Sequence, residues 1–161
     1  MSLEILLYLP EHEAAVLDLS MRAWAPVFEK LEPAVQPCVY RAFWPQGWQV
    51  RQTAEIKAWL DSNGKDTWVA VDDGSIVGWV AIRTHPADSM GEIYIIAVDP
   101  HAQRRGVATA LLEHATAQLR SAGMKIVMVE TGGDPGHAPS RATYERAGFQ
   151  RWPVARYFRE L

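Results

Sequence analysis

The chain has 161 residues, of which 48% are hydrophobic and 22% are charged, and these values are typical of one compact domain covering residues 1–161. The formal net charge of −3 disfavours general nucleic-acid binding, which usually needs a basic face. Cys38 is the single cysteine, which excludes an internal disulfide and a cysteine-based zinc site. The start of the chain lacks the positive charge of a signal peptide, and no apolar run approaches the roughly 20 residues of a membrane helix, so we expect a cytoplasmic protein.

The first third of the chain predicts a strand and two helices. The apolar run Leu3–Leu9 predicts a strand that ends at Pro10, and the acidic residues after this proline favour the first turn of a helix. The segment Trp24–Val50 holds four prolines and Gly47, so we expect no long uninterrupted element there. A second helix is predicted at Gln52–Leu60.

Three apolar runs with short connections then predict an antiparallel meander. The predicted strands are Trp68–Val71, Ile76–Ile82 and Glu92–Val98. The last two runs are almost continuously apolar, which indicates burial on both faces of the sheet.

The last third predicts a crossover helix, a parallel strand and a short C-terminal helix. A helix from Val107 to about Gly123 precedes the apolar run Lys125–Thr131, and a strand–helix–strand connection of this kind gives a parallel pair. The remaining predicted elements are a flexible loop at residues 132–136, a helix at Ser140–Ala147 capped by Ser140, and two short strands at Phe149–Trp152 and Val154–Phe158.

The segment between Val98 and the crossover helix has the features of an anion-binding loop. Pro100 ends the strand, and Gly106 precedes a helix whose first N–H groups have no partner within the helix. Two arginines add positive charge, and small residues at positions 106 and 108 allow close approach to the backbone. These features predict a phosphate or pyrophosphate site. The P-loop and dinucleotide patterns are both absent.

The spacing Gln103-x-x-Gly106-x-Ala108 after a buried strand resembles the acetyl-CoA loop of the GNAT family of N-acetyltransferases. A second stretch resembles the other signature of this family through Tyr144, Glu145, Gly148 and Phe149, although its usual Asn/Ala spacing is not reproduced. The resemblance spans roughly residues 3–161. It implies an α/β (α+β) fold with a mostly antiparallel, splayed sheet, one parallel strand pair, and helices on both faces.

The resemblance also implies acetyl-CoA as co-substrate. No metal is expected, because the histidines have no partner spacing that suggests a metal site. The residues that it predicts to bind acetyl-CoA are Ile96, Ala97, Val98, Gln103, Arg104, Arg105, Gly106, Val107, Ala108, Thr109 and Tyr144. The strand backbone is expected to pair with the cofactor arm, and an N–H of Ala97 or Val98 to stabilise the oxyanion.

Direct transfer to an amine needs an acid and a base. Tyr144 is predicted as the general acid that protonates the leaving sulfur. The resemblance implies Glu92 as the general base, because it lies as far before Gln103 as the base does in some family members. Strand alternation would place it on the face of Tyr94 and Ile96, where burial would raise its pKa. An exposed strand-end role for Glu92, a water chain, and the lesser candidates Asp99 and His137 stay open as alternatives.

The acceptor is the least specified part of the prediction. Trp24, Phe28 and Trp44 either wall an acceptor pocket or cover an edge of the core, and Glu130 could contact the amine. We expect a small-molecule amine, with no nucleic-acid or membrane partner. The alternatives are a protein N-terminus or lysine, and a non-catalytic acetyl-CoA sensor. Homodimers are common in the resembled family, which makes a homodimer a further expectation.

Overall fold

A computed structural model describes residues 2–161, and five strands in this range form one mixed sheet in the order β1-β2-β3-β4-β5. The strands are β1 (Leu3–Leu7), β2 (Thr67–Asp72), β3 (Ser75–His85), β4 (Met90–Val98) and β5 (Ile126–Val129). The first three pairs are antiparallel and β4 runs parallel to β5. The predicted mixed sheet with one parallel pair is therefore confirmed.

Helices cover both faces of this sheet, as predicted. They are α1 (Glu13–Leu31), α2 (Pro37–Phe43), α3 (Trp48–Asn63), α4 (Val107–Ser121) and α5 (Ala138–Arg146). On one face, Leu19 of α1 and Ile56 of α3 pack with Trp79 of β3. On the other face, Leu111 of α4 packs with Val80. Side chains of β3 thus alternate between two apolar layers, which explains its nearly continuous apolar sequence.

The prediction of irregular structure from Trp24 onward is wrong for the first part of that segment. Helix α1 continues through Pro26 to Leu31, and Phe28 and Leu31 are buried. Pro26 has no N–H to donate to the carbonyl of Arg22, and interior prolines usually end or kink a helix. The buried apolar side chains that follow Pro26 offset this loss, so tertiary packing prevails over local propensity.

The two predicted C-terminal strands are also wrong. Residues 150–161 form no helix or strand, and most of their side chains are exposed, with Trp152 at 83% and Tyr157 at 90%. Pro153 removes one ladder donor from this segment. Phe158 instead lies edge-on against Phe43 of α2, with ring centroids 5.8 Å apart. The segment is apolar, but an apolar pattern does not specify whether the segment pairs with a strand or packs on a helix.

Candidate active site

The parallel strands β4 and β5 pair over only part of their length. Their ladder runs from Met90 opposite Ile126 to Ile93 opposite Val129 and ends there. Beyond this point the β4 residues 94–98 and the end of β5 line an open cleft. A strand edge that is not used by another strand leaves N–H and C=O groups available to a ligand.

Two adjoining cavities fill this cleft. The α1 cavity, of about 480 Å³, lies between α1, α3, β4 and the loop before α5. The α4 cavity, of about 470 Å³, lies between the end of β4, the start of α4, and α5. Both cavities are lined by Ile96, Ala97, Val98, Gln103, Pro139, Ser140 and Tyr144. A ligand in one cavity would therefore meet a ligand in the other at these shared residues.

The direction of the β4 backbone at the cleft follows from its hydrogen bonds. The N–H of Asp99 donates to the carbonyl of Val77 in β3 at 2.8 Å. Because successive backbone groups of a strand alternate in direction, the N–H and C=O of Val98 point away from β3 and into the cleft. Gln103 Nε2 lies 3.4 Å from the Val98 carbonyl, which agrees with this direction.

The loop before α4 presents backbone N–H groups to the α4 cavity. Arg104 and Gly106 both have positive φ, +62° and +83°, and α4 begins at Val107. No side chain within residues 2–161 caps the first turn of α4. A Cβ at Gly106 would meet nothing within 4 Å. An uncapped helix start next to left-handed backbone forms an anion-binding concavity.

The two loop arginines have different positions. Arg104 lines the α4 cavity. Arg105 instead donates from Nη2 to Asp72 Oδ2 at 2.9 Å, and the Asp72 side chain is only 6% exposed. Arg105 therefore neutralises a buried carboxylate at the end of β2, so the two arginines, adjacent in sequence, have separate structural roles.

This difference predicts separable effects of two matched substitutions. Arg104→Gln should weaken binding of an anionic ligand in the α4 cavity by about 3- to 10-fold, with a smaller salt dependence than wild type. Arg105→Gln should leave that affinity nearly unchanged and lower the unfolding free energy by about 1 kcal/mol, since Asp72 loses a half-exposed partner. Titration calorimetry at two salt concentrations and thermal unfolding would measure both. An equal loss of affinity in the two variants would contradict the assignment.

Tyr144 lies where the two cavities meet. It projects from α5, and the predicted stop residue Gly148 follows the end of this helix with a φ of +91°. Its ring packs on the α4 side of the core, with the Phe149 ring edge-on at 6.1 Å. Burial raises the pKa of Tyr144 to about 12. The phenol therefore keeps its proton at neutral pH, so it can donate that proton or a hydrogen bond, and no phenolate is present to act as a base.

The loop at residues 132–137 is ordered by its own hydrogen bonds, so the expectation of a flexible loop is wrong. Asp134 Oδ1 accepts from the N–H of Gly136 at 2.8 Å and of His137 at 3.3 Å. Arg141 Nη1 donates to the carbonyls of Gly132 at 2.6 Å and Asp134 at 2.7 Å. The predicted cap by Ser140 is wrong as well. Helix α5 begins at Ala138, and Asp134 caps the turn before it.

Family comparisons agree with this architecture. The model of the acetyltransferase (GNAT) family matches residues 37–149 of the chain. The chain belongs to the GNAT family. This assignment confirms the resemblance stated from Gln103, Gly106, Ala108 and the Tyr144 signature.

Individual relatives and structures agree with the family assignment. The mycothiol acetyltransferase of Rhodococcus jostii is 30% identical over 144 residues, covering 84% of this chain and 47% of that protein. That of Cellulomonas flavigena is 35% identical over 109 residues, covering 62% and 30%. The chain thus spans about half or less of the length of these relatives.

Solved structures share the fold at low sequence identity. The PaiA N-acetyltransferase of Thermoplasma acidophilum, in complex with coenzyme A, has a TM-score of 0.71 and 15% identity, with 96% of this chain and 94% of that chain covered. The ribosomal-protein-S18-alanine N-acetyltransferase of Escherichia coli has a TM-score of 0.65 and 20% identity, with 94% and 80% covered. These two matches support the GNAT fold.

Within this GNAT fold, Glu92 lies away from both cavities. Its Oε2 accepts from His85 Nε2 at 2.7 Å near the start of β4, and it lines neither the α1 nor the α4 cavity. The expectation that Glu92, Tyr94 and Ile96 share a face is wrong for Ile96. A β-bulge opposite Ala81 places Tyr94 in the α1/α3 layer, and Ile96 packs in the α4 layer.

The predicted acceptor residues divide into two groups. Trp24 and Glu130 line the α1 cavity. Phe28 and Trp44 do not, and they pack in an aromatic cluster outside its lining. Phe28 stacks on Trp48 at 4.6 Å and meets Trp44 edge-on at 5.0 Å. For Phe28 and Trp44, the structure matches the interpretation that they cover an edge of the core.

Asp99 stabilises the turn that follows β4. Its Oδ1 accepts from the His101 N–H at 2.9 Å, and its Oδ2 accepts from Arg22 Nη2 at 2.5 Å. Burial opposes ionisation of Asp99, but the hydrogen bonds from Arg22 and from the His101 N–H, together with the charge of Arg22, outweigh it and lower the pKa of Asp99. Asp99 thus joins α1 to the turn that leads into the anion-binding loop.

Of the predicted cofactor residues, all but Arg105 line the α4 cavity. His137, a lesser candidate from the sequence, lines the α1 cavity and pairs with Asp134. The Asp-x-x-His spacing is a signal in the sequence, but it becomes informative only when the turn brings both side chains together. Within residues 2–161, no three His, Cys, Asp or Glu side chains cluster in a way that could hold a metal ion, and no helix is long and apolar enough to span a membrane.

Proposed function

We propose that the protein transfers the acetyl group of acetyl-CoA to the primary amine of a small molecule by direct attack in a ternary complex. The observation that carries the proposal is the meeting of the α1 and α4 cavities at Tyr144 and the end of β4. This arrangement lets two separate ligands bring their reactive atoms to one point, which is the geometric requirement of direct transfer.

The α4 cavity fits the pyrophosphate and arm of coenzyme A. Backbone N–H groups of residues 104–109 would hold the pyrophosphate, with Arg104 adding charge and Gly106 leaving space for it. The cleft-facing groups of Ile96 and Val98 would pair with the amides of the cofactor arm. Gln103 would contact the arm where both cavities meet, close to the Val98 carbonyl.

The reaction itself needs few groups from this chain. The amine nitrogen bonds to the thioester carbon, and the carbon–sulfur bond breaks. The cleft-facing N–H of Val98 would stabilise the oxyanion, since the N–H of Ala97 points toward β3 by the same alternation. Tyr144 would donate a proton to the leaving sulfur. Glu92, paired with His85 outside both cavities, would receive the amine proton only through intervening water.

The acceptor would occupy the α1 cavity. A volume of about 480 Å³ suits a small molecule, and Trp24 and Glu130 offer an aromatic face and a carboxylate to a cationic amine. Phe28 and Trp44 would support this wall from behind. The relatives named mycothiol acetyltransferase support a non-protein acceptor. The Escherichia coli enzyme of similar fold is named for a ribosomal protein, so the fold alone does not decide the acceptor.

Release of free thiol from acetyl-CoA, measured with a panel of small amines and of peptides, tests the proposal. We expect thiol release with at least one small amine, accompanied by one equivalent of its amide in the mass spectrum. Faster release with peptides would identify a protein acceptor instead. Binding of acetyl-CoA without thiol release from any amine would show a sensor and contradict the proposed reaction.

A further inference from the structure

We propose that His137 is the general base that takes the proton from the acceptor amine, with Asp134 as the residue that positions it; this inference rests on the proposed function. His137 lines the α1 cavity, where the acceptor would lie. Its Nδ1 is 2.5 Å from Asp134 Oδ2, and both side chains are largely buried. A buried histidine–carboxylate pair facing a substrate cavity is a recurrent arrangement for proton transfer.

The hydrogen bonds of Asp134 determine which ring nitrogen of His137 carries the proton. Asp134 Oδ1 already accepts from two backbone N–H groups, and Oδ2 faces His137 Nδ1. Burial alone would raise the pKa of Asp134, but the hydrogen bonds from His137 and Gly136 lower it, so the carboxylate is ionised and accepts only. The neutral imidazole therefore carries its proton on Nδ1, and Nε2 keeps the free lone pair of a base.

The surrounding loop holds this pair in place before any substrate binds. Arg141 donates hydrogen bonds to the carbonyls of Gly132 and Asp134 in this loop. A Cβ at Gly136 would overlap the Val27 carbonyl of α1, and a Cβ at Gly132 would overlap Asp134 Oδ2 and lie 2.7 Å from His137 Nδ1. The loop therefore needs glycine at both positions to seat the pair against α1. Such preorganisation is what a base requires, because misplacement by about 1 Å can lower rates roughly 100-fold.

His137 also has a suitable position relative to Tyr144. Both line the α1 cavity, His137 just before the start of α5 and Tyr144 two turns along it, so one short helix would place base and acid on the same cleft. The other charged groups that line this cavity are Lys30 of α1, Glu55 of α3, and Glu130 after β5. Arg141 contacts the loop from α5. Glu92, by contrast, lies outside the cavity lining.

The proton balance of the step is complete. As the amine nitrogen bonds to the thioester carbon, its proton moves to His137 Nε2, and the resulting imidazolium is stabilised by ionised Asp134. The carbon–sulfur bond breaks, and the sulfur takes the Tyr144 proton. The imidazolium then releases its proton to water, and Tyr144 regains one from water, so both groups return to their starting states.

The pH dependence of kcat/KM in two variants and one control tests this role. His137→Gln should lower kcat/KM near neutral pH by about 100-fold, with acetyl-CoA affinity unchanged within about twofold. The deficit should shrink as pH rises, because hydroxide can then take the proton in place of the missing base. Asp134→Asn keeps an oxygen for the two backbone N–H groups but presents an amide N–H₂ to Nδ1, so it should also lower kcat/KM. His12→Gln, on the turn before α1, should match wild type.

A second measurement does not depend on activity. Nitrogen-15 NMR of the imidazole should show the Nδ1–H tautomer of His137 in wild type and its loss in Asp134→Asn. Three results would each overturn the proposal while leaving acetyl transfer intact. They are an Nε2–H tautomer of His137 in wild type, a wild-type pH profile for His137→Gln, and the expected pH-dependent loss of kcat/KM appearing in Glu92→Gln instead. A wild-type protein that acetylates no amine would instead remove the proposed function, and the base role of His137 with it.

Discussion

Replacing Tyr144 with phenylalanine is expected to lower kcat by about 100-fold or more while the affinity for acetyl-CoA changes by less than about twofold. The substitution removes one hydroxyl and keeps the ring, which packs beside Phe149 on the α4 side of the core. Binding contacts along residues 96–109 stay in place, so the loss falls on the step that protonates sulfur. Steady-state kinetics and calorimetry on the same samples would separate the two quantities.

Tyr157→Phe is the matched control, because Tyr157 lies in the exposed C-terminal segment and lines neither cavity. It should have wild-type kinetics. Unchanged turnover in Tyr144→Phe would remove the acid role of this residue. A large loss of acetyl-CoA affinity with unchanged kcat would assign Tyr144 to binding instead.

The raised pKa of Tyr144 gives this prediction a pH dependence. With a folded-state pKa of about 12, the phenol is protonated across the ordinary assay range and begins to lose its proton only near that value. An alkaline decline of kcat between about pH 8 and 10 should therefore persist in Tyr144→Phe if it occurs in wild type. If this decline disappeared in Tyr144→Phe, the pKa of Tyr144 would lie below the value that its burial implies.

Gly106→Asp should weaken acetyl-CoA binding by roughly 30- to 150-fold while the chain still folds. Position 106 lines the α4 cavity at the start of α4, with open space where a Cβ would lie. A carboxylate there would repel the pyrophosphate, at about 2–3 kcal/mol for charges about 5–8 Å apart at an effective dielectric near 20. The same carboxylate favours the positive end of α4, which offsets part of the strain that a φ of +83° imposes on any side chain at position 106.

Gly106→Asn is the control that separates the effect of the added charge on acetyl-CoA affinity from the effect of the added side chain. Asparagine has nearly the size of aspartate and is among the residues that best tolerate the left-handed backbone found at Gly106. We expect its affinity for acetyl-CoA to stay within about fivefold of wild type. Titration calorimetry and thermal unfolding of the pair provide the comparison. Equal weakening in the two variants would mean that shape, rather than anion repulsion, governs position 106.

The anion-binding loop was predictable because its signals are local. Pro100 ends a strand, Gly106 starts a helix, and both effects act within a few residues. The crossover from β4 through α4 to β5 follows from the same kind of pattern, since a strand, a helix and a strand in this order allow few arrangements. The resemblance to the GNAT family is therefore visible in the sequence alone.

Other features depend on contacts that no local pattern encodes. The bulge at Tyr94 arises from pairing with β3 and ends the alternation on which the predicted face of Ile96 relied. The exposed path of residues 150–161 depends on which edge or helix accepts them. Asp134 and His137 come together only because the turn at 135–137 packs against α1, so their pairing became visible only in three dimensions.

The proposed reaction requires that backbone N–H groups at the start of α4 bind the pyrophosphate of coenzyme A. Titration of nitrogen-15-labelled protein with coenzyme A, and separately with pantetheine, which lacks the pyrophosphate, tests this binding mode. We predict that coenzyme A shifts the amide resonances of residues 104–109 strongly, and that pantetheine shifts those of Ile96 and Val98 but leaves residues 104–109 nearly unchanged. Saturating coenzyme A that leaves the amides of residues 104–109 at their free positions would contradict the account.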